Sequence, residues 1–128
     1  IEFLCGDFTN LNLKKSFDYV YSRFTIHSIT EDGEDRLLNW AFSNLHNGGN
    51  IFIEARSIRD DLYNKGIKIS KTENFTDHYR RYANKYILIN KLKKIGFQII
   101  YEIESKGLAV YKDEDPYIVR IVGKKYKK

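Results

Sequence analysis

The sequence has one proline, one cysteine, one tryptophan and no methionine in 128 residues. With only Pro116 and no Gly/Ser-rich stretch, no linker divides the chain, which reads as a single domain over 1–128. The lone cysteine, Cys5, excludes an internal disulfide and favours a reducing compartment, so a cytoplasmic location is expected. No apolar run approaches the roughly 20 residues of a membrane span, and no signal-peptide pattern opens the chain. The sequence begins at Ile1 and lacks methionine, which predicts a piece of a longer polypeptide. No Cys/His pair has metal-ligand spacing, so no metal is expected.

What is present is a globular composition. Hydrophobic residues are 42% and charged residues 30%, which excludes a disordered chain. The net charge of +5 owes much to Lys124, Lys125, Lys127 and Lys128. That tail reads as a solvated terminus. It lacks interleaved Gly/aromatic repeats, so nucleic-acid binding is not expected. The abundance of Lys, Asn and Ile fits an AT-rich, bacterial genome.

Strand-like and helix-like stretches alternate, which predicts an α/β layer architecture. Strands are expected near 1–4, 17–22, 51–55, 97–104 and 117–122. The strand from 51 should be central and buried on both faces. Helices are expected over 31–45 and 84–95. The first has Leu37, Leu38, Ala41, Phe42 and Leu45 at helical spacing. Thr30 can cap its start, acidic residues suit its positive end, and Gly48-Gly49 should stop it. The second helix carries Ile87, Leu88, Leu92 and Ile95 and ends at Gly96. Residues 57–76 read as a long excursion with short helical pieces. The final strands, joined without a helix, predict an antiparallel partner on an otherwise parallel sheet.

Several ordered motifs share a pattern. A strand ends in Cys5-Gly6-Asp7-Phe8. Phe17-Asp18-Tyr19-Val20 follows, leading into Ile26-His27-Ser28-Ile29. Then come Leu45-His46-Asn47-Gly48-Gly49 and Lys94-Ile95-Gly96-Phe97. Together they resemble the third strand through the seventh of a class I S-adenosylmethionine-dependent methyltransferase. Asparagine stands at 47, where the family usually has proline. No G-x-G-x-G loop or second-strand acid is present. The resemblance therefore implies the C-terminal portion of a Rossmann-like methyltransferase domain. Its sheet would be mostly parallel with an antiparallel terminal hairpin, its N-terminal strands missing and apolar edges left unpaired. The piece alone is expected to be inactive.

The resemblance implies an S-adenosylmethionine cofactor, with Asp7 facing the adenine amino group, Phe8 beside it, and Ser22 and Arg23 at the end of the next strand. Methyl transfer is an in-line displacement in which the protein supplies proximity and orientation. A hydroxyl acceptor would also need a general base, and His27 or His78 could serve. Arg23, Arg56, Arg59, Arg80 and Arg81 gather where strands end or the long excursion closes. Guanidinium forks match carboxylate or phosphate. Arg56, His78, Arg80 and Arg81 are therefore candidate acceptor residues, favouring a small anionic acceptor such as a phosphorylated sugar or metabolite.

Plainer readings stand beside these. Asp7 could make a turn, Phe8 could be core, His27 could be a packing histidine, and His46 a surface partner of the helix dipole. Tyr19 and Tyr21 read as core. Arg59, Arg80 and Arg81 could pair with Glu54, Asp60, Asp61 or Asp77. The competing function is a non-catalytic α/β interaction domain or RNA-associated module.

Overall fold

The computed structural model describes residues 16–23, 29–60, 67–68, 73–75 and 79–126, with 67–80 described by backbone course alone. The elements in chain order are β1 (Phe17–Arg23), α1 (Glu31–Asn44), β2 (Leu45–Arg56), β3 (Ile67–Lys68), β4 (Glu73–Phe75), β5 (Tyr79–Arg81), α2 (Lys85–Ile95), β6 (Phe97–Ser105) and β7 (Ile118–Lys125). The expected strand at 1–4, with Cys5, lies outside the described residues.

Four strands form one mixed sheet in the order β1-β2-β7-β6. β1 and β2 are parallel, while β7 runs antiparallel to both β2 and β6. A parallel pair needs a crossover, and α1 supplies it. β2 lies between β1 and β7, with Ile51, Ile53, Glu54 and Ala55 all buried and Phe52 half-buried. This is the central strand that its apolar run implies.

α1 begins where Thr30 accepts a hydrogen bond from the Gly33 amide at 3.2 Å, with Glu31, Asp32 and Glu34 at its positive end. It stops at Asn44, one residue earlier than expected, because Leu45 already has the extended backbone of β2. Gly48 and Gly49 therefore do not end the helix. They sit inside β2, where the pairing with β1 shifts register between Phe17 and Tyr19. A side chain on Gly49 would meet the carbonyls of Asp18 and His46 at 2.9 Å, so the bulge requires glycine there.

α2 is capped by Asn84, whose side chain accepts from the Tyr86 and Ile87 amides. Gly96, at φ +130°, ends it. Its buried face is Leu88, Ile89 and Leu92; Ile87, expected inside, is 54% exposed. Leu88 and Leu92 are buried as expected and Ile95 packs against the core, while Ile89 takes the inward place expected of Ile87.

Both helices pack on the face of Ile51, Ile53 and Ala55, with Val119 and Ile121 from β7 and Phe97 from β6 in the same core. The opposite face carries Tyr19, Tyr21, Phe52, Val122 and Tyr101, brought side by side by strand register. Tyr19 and Tyr21 are 66% and 67% exposed, which corrects their reading as core. Period-two alternation carries their side chains away from the helices.

Two further expectations change. Where residues 57–76 were expected to carry short helical pieces, the described ones are a turn at 57–60 and the strands β3 and β4, which with β5 form a small antiparallel sheet; the rest of the span lies outside the described residues. The last strand also extends into the lysine tail. Lys125 donates to the carbonyls of Phe42 and Leu45 and lies 4.6 Å from the Phe42 ring centre. The last turn of α1 has no basic residue of its own. Lys125 supplies that charge from across the sheet.

Candidate functional site

In an open α/β sheet, ligands sit outside the carboxyl ends of the parallel strands. Here those ends are Ser22-Arg23 of β1 and Ala55-Arg56 of β2. Of the connections leaving them, the described residues that return to the fold are Ile29 and Thr30 before α1 and Arg81 to Asn84 before α2. A groove of about 370 Å³ lined by Tyr21, Phe52, Glu54, Tyr101, Arg120 and Val122 lies instead on the open sheet face. Its position on the sheet face argues against it as the catalytic cleft.

Ser22 is buried beside Ile53, its partner in register, and its Oγ has no hydrogen-bond partner among the described residues. Trp40 Nε1 and Asn50 Oδ1 are also buried and unpartnered, but neither lies at a strand's carboxyl end. A buried hydroxyl without a partner is costly.

Every arginine whose side chain is described meets a carboxylate. Arg23 Nε donates to Glu54 Oε1 at 3.3 Å, and Arg120 Nε donates to Glu54 Oε2 at 2.8 Å. Glu54 is buried between two guanidiniums, and Arg120 also donates to the Leu108 carbonyl. Arg56 Nη1 lies 3.1 Å from Asp60 Oδ2, while Asp60 Oδ1 accepts from the Tyr117 amide. Arg59 lies 3.7 Å from Glu104 and 4.7 Å from the centre of the Tyr117 ring. Arg81, buried, lies 2.8 Å from Glu34 and donates to the Ile29 carbonyl at 3.0 Å. An unpaired arginine cluster is therefore not what Arg23, Arg56 and Arg81 form. The pairing alternative is right that Arg59 and Arg81 meet acids, but the acids are Glu104 and the buried Glu34 rather than Glu54, Asp60, Asp61 or Asp77. Asp60 pairs with Arg56 instead, and that pair is largely buried. Asp7, Phe8, His27 and His78 lie outside the described residues, as does the side chain of Arg80.

Sequence reasoning named Glu54 and Asp60 as arginine partners but missed Glu34 and Glu104. Glu34 is three and four residues before Leu37 and Leu38, so it belongs to the apolar stripe of α1. A glutamate on a buried stripe calls for a cation, and that signal was available. Lys91 of α2 supplies one, with its Nζ 2.6 Å from Glu34, 3.0 Å from Glu31 and 3.0 Å from Asp35. Burial disfavours the charged ammonium, but hydrogen bonds to Glu34, Glu31 and Asp35 outweigh it and hold Lys91 above its ordinary range. Ser57, fully buried, donates to Glu104 at 2.6 Å and accepts from the Arg59 amide. His46 is exposed and pairs with Asp18 at 2.9 Å.

Among the described residues, no group of three or more His, Cys, Asp or Glu is placed to hold a metal ion. No helix among them is long and apolar enough to cross a membrane.

No family model matches the chain. An uncharacterized protein of Methanocaldococcus jannaschii is 28% identical over 102 residues, covering 79% of this chain and 27% of that protein. Among solved structures, an S-adenosylmethionine-dependent methyltransferase of Methanosarcina mazei superposes with a TM-score of 0.80 at 16% identity, over 94% of this chain and 65% of that one. Another, of Clostridium acetobutylicum, gives 0.71 at 14% identity, over 97% and 64%. The glycopeptide N-methyltransferase MtfA gives 0.68 at 16% identity over 95% and 60%, in a form crystallised with S-adenosyl-L-homocysteine. The chain thus spans less than two thirds of the length of these solved structures. With a mixed sheet ordered β1-β2-β7-β6, β7 antiparallel within it, and this likeness along nearly its whole length, the chain has the class I S-adenosylmethionine-dependent methyltransferase fold.

Proposed function

We propose that the chain is the C-terminal portion of an S-adenosylmethionine-dependent methyltransferase domain that acts on a small-molecule acceptor in the cytoplasm. The observation carrying this reading is the sheet order, with β7 inserted antiparallel between β2 and β6, together with the likeness to solved methyltransferases.

The residues present fit such a cofactor. The buried, unpartnered hydroxyl of Ser22 sits at the carboxyl end of β1, where a ligand could supply its missing partner. Ser22 and Arg23 would hold the cofactor from this side, with Asp7 accepting from the adenine amino group and Phe8 lining the ring. When bound, the cofactor supplies an electrophilic methyl group. The chain's own part is to orient the acceptor in line with that group and keep water away. His27 or His78 would take the acceptor's proton where the acceptor is a hydroxyl.

Arg56, Arg80 and His78 are the proposed acceptor contacts. Arg56 can offer an acceptor only the N–H groups not turned to Asp60. An anionic acceptor, such as a phosphorylated sugar or metabolite, therefore rests chiefly on Arg80 and His78. The RNA-associated alternative is not favoured, since Lys125 of the basic tail is engaged inside the fold.

The test is calorimetric titration with S-adenosylhomocysteine of the natural polypeptide that carries this chain. Saturable binding, weakened at least tenfold by Asp7→Ala in a folded protein, is expected; the 128-residue chain alone should bind little. Binding unaffected by Asp7→Ala would remove Asp7 from the site.

A further inference from the structure

Two β–α connections bound the carboxyl ends of the parallel strands: the one leaving β1 and the long one leaving β2. They are separate in sequence, but one side chain touches both. Arg81 sits where the second connection returns to the fold. Its Nε donates to the carbonyl of Ile29, the residue just before the Thr30 cap of α1, and its Nη2 donates to Glu34 Oε1 in the first turn of α1. Arg81 is 7% exposed and Glu34 3%. The other Glu34 oxygen accepts from Lys91 of α2.

The return of the long connection is fixed independently at its other side. The Ala83 amide donates to the Arg56 carbonyl at 2.7 Å, and the Ile58 amide donates to the Ala83 carbonyl at 3.0 Å. Arg81 therefore joins a stretch already clamped to the end of β2 to the chain following β1. An arginine suits this task. Its planar fork can direct donors at a carbonyl and a carboxylate together, which a lysine ammonium on a flexible stem does poorly.

We propose that Arg81 is a positioning residue. It does not contact the acceptor; it cross-links the two connections that flank the candidate site through the buried carboxylate of Glu34. Its functional consequence rests on the methyltransferase reading above, whereas the cross-link itself does not. Without it, Ile29 and Thr30 would lose their tie to the return of the long connection, and a ligand bound between them would have to restore that arrangement, so apparent affinity would fall.

The experiment uses the natural polypeptide carrying this chain, as wild type, Arg81→Gln, Glu34→Gln and Arg81→Lys. Amide hydrogen exchange is read at Gly33 and Glu34, whose amides donate to Thr30, and at Ala83, whose amide donates to Arg56, with β2 and β7 as internal controls. Exchange at the former sites should rise at least tenfold in Arg81→Gln and Glu34→Gln, with β2 and β7 unchanged. The double variant should add little to either single change, because both remove the same interaction. Arg81→Lys preserves charge, so it keeps the fold while losing one of the two contacts, and should lie between. Affinity for S-adenosylhomocysteine, read by calorimetry, should fall at least fivefold in Arg81→Gln and less in Arg81→Lys. Exchange at Gly33 and Glu34 within twofold of wild type, or rising in step with β2 and β7, would overturn the cross-link. Wild-type affinity retained in both Arg81 variants would overturn its positioning role. Absence of binding by the wild type would instead count against the methyltransferase reading, leaving exchange to judge the cross-link.

Discussion

Ser22 and Glu54 are both buried polar residues near the carboxyl end of the sheet, and they are opposite cases. Ser22 has no partner, whereas Glu54 has two guanidiniums. Removing an unsatisfied buried hydroxyl relieves a desolvation cost, so Ser22→Ala should leave stability unchanged or raise it by up to about 1 kcal/mol. If the hydroxyl serves the cofactor, the same change should weaken S-adenosylhomocysteine binding by roughly threefold to tenfold, the equivalent of one hydrogen bond. Urea unfolding and calorimetry on the same variant check the two halves. Glu54→Ala should behave in the opposite way, lowering stability by about 1–3 kcal/mol, because two charge-assisted bonds go and two partly exposed arginines are left facing each other. Neither environment was fully legible in the sequence. Period-two alternation gave Ser22 a face, but whether a buried hydroxyl finds a partner depends on side chains remote in sequence. Glu54 was legible as an arginine partner, but not which arginines it meets: Arg23 is 31 positions away and Arg120 is 66.

The helices show which elements local chemistry specifies well. Asn84 satisfies two orphan amides at the start of α2, so Asn84→Ala should lower stability by about 0.5–2 kcal/mol, read from the shift in urea midpoint. At its other end, a side chain on Gly96 would come within 2.7 Å of the Phe42 ring from a backbone at φ +130°. Gly96→Ala should cost about 1–3 kcal/mol, chiefly by moving Phe42. The Gly96 stop was legible because capping is decided within a few residues, whereas Asn84 was read as the first helical residue and is the cap. The Gly48-Gly49 pair was misread as a helix stop because a glycine pair serves a turn and a bulge equally well. The tail was misread for a different reason: Lys125 acts on carbonyls 80 and 83 positions away. Between α1 and α2, Lys91 has a pKa raised above its ordinary value of 10.5. A raised folded-state pKa contributes stability fully below the unfolded value and loses it only as pH rises through the folded value. The destabilisation caused by Lys91→Ala should therefore stay constant between about pH 7 and pH 9, as measured by urea unfolding at each pH. A steady decline across that window would mean that the carboxylates do not hold the ammonium charged.

At the scale of the whole molecule, the alternation of elements and the order of motifs made the α/β fold legible, because each buried strand declares itself by its apolar run. The positions of the acceptor arginines were less legible. Spacing along the chain places Arg23, Arg56 and Arg81 near strand ends, but pairing decides whether they are available, and Glu54, Asp60 and Glu34 had taken them. The central claim is that this fold serves S-adenosylmethionine chemistry when the chain stands in its natural polypeptide. Calorimetric titration of that polypeptide with S-adenosylhomocysteine tests it most directly. The account predicts saturable one-to-one binding that is weakened at least tenfold by Asp7→Ala and several-fold by Ser22→Ala. A folded polypeptide that gives no saturable heat with S-adenosylhomocysteine or with S-adenosylmethionine would contradict it.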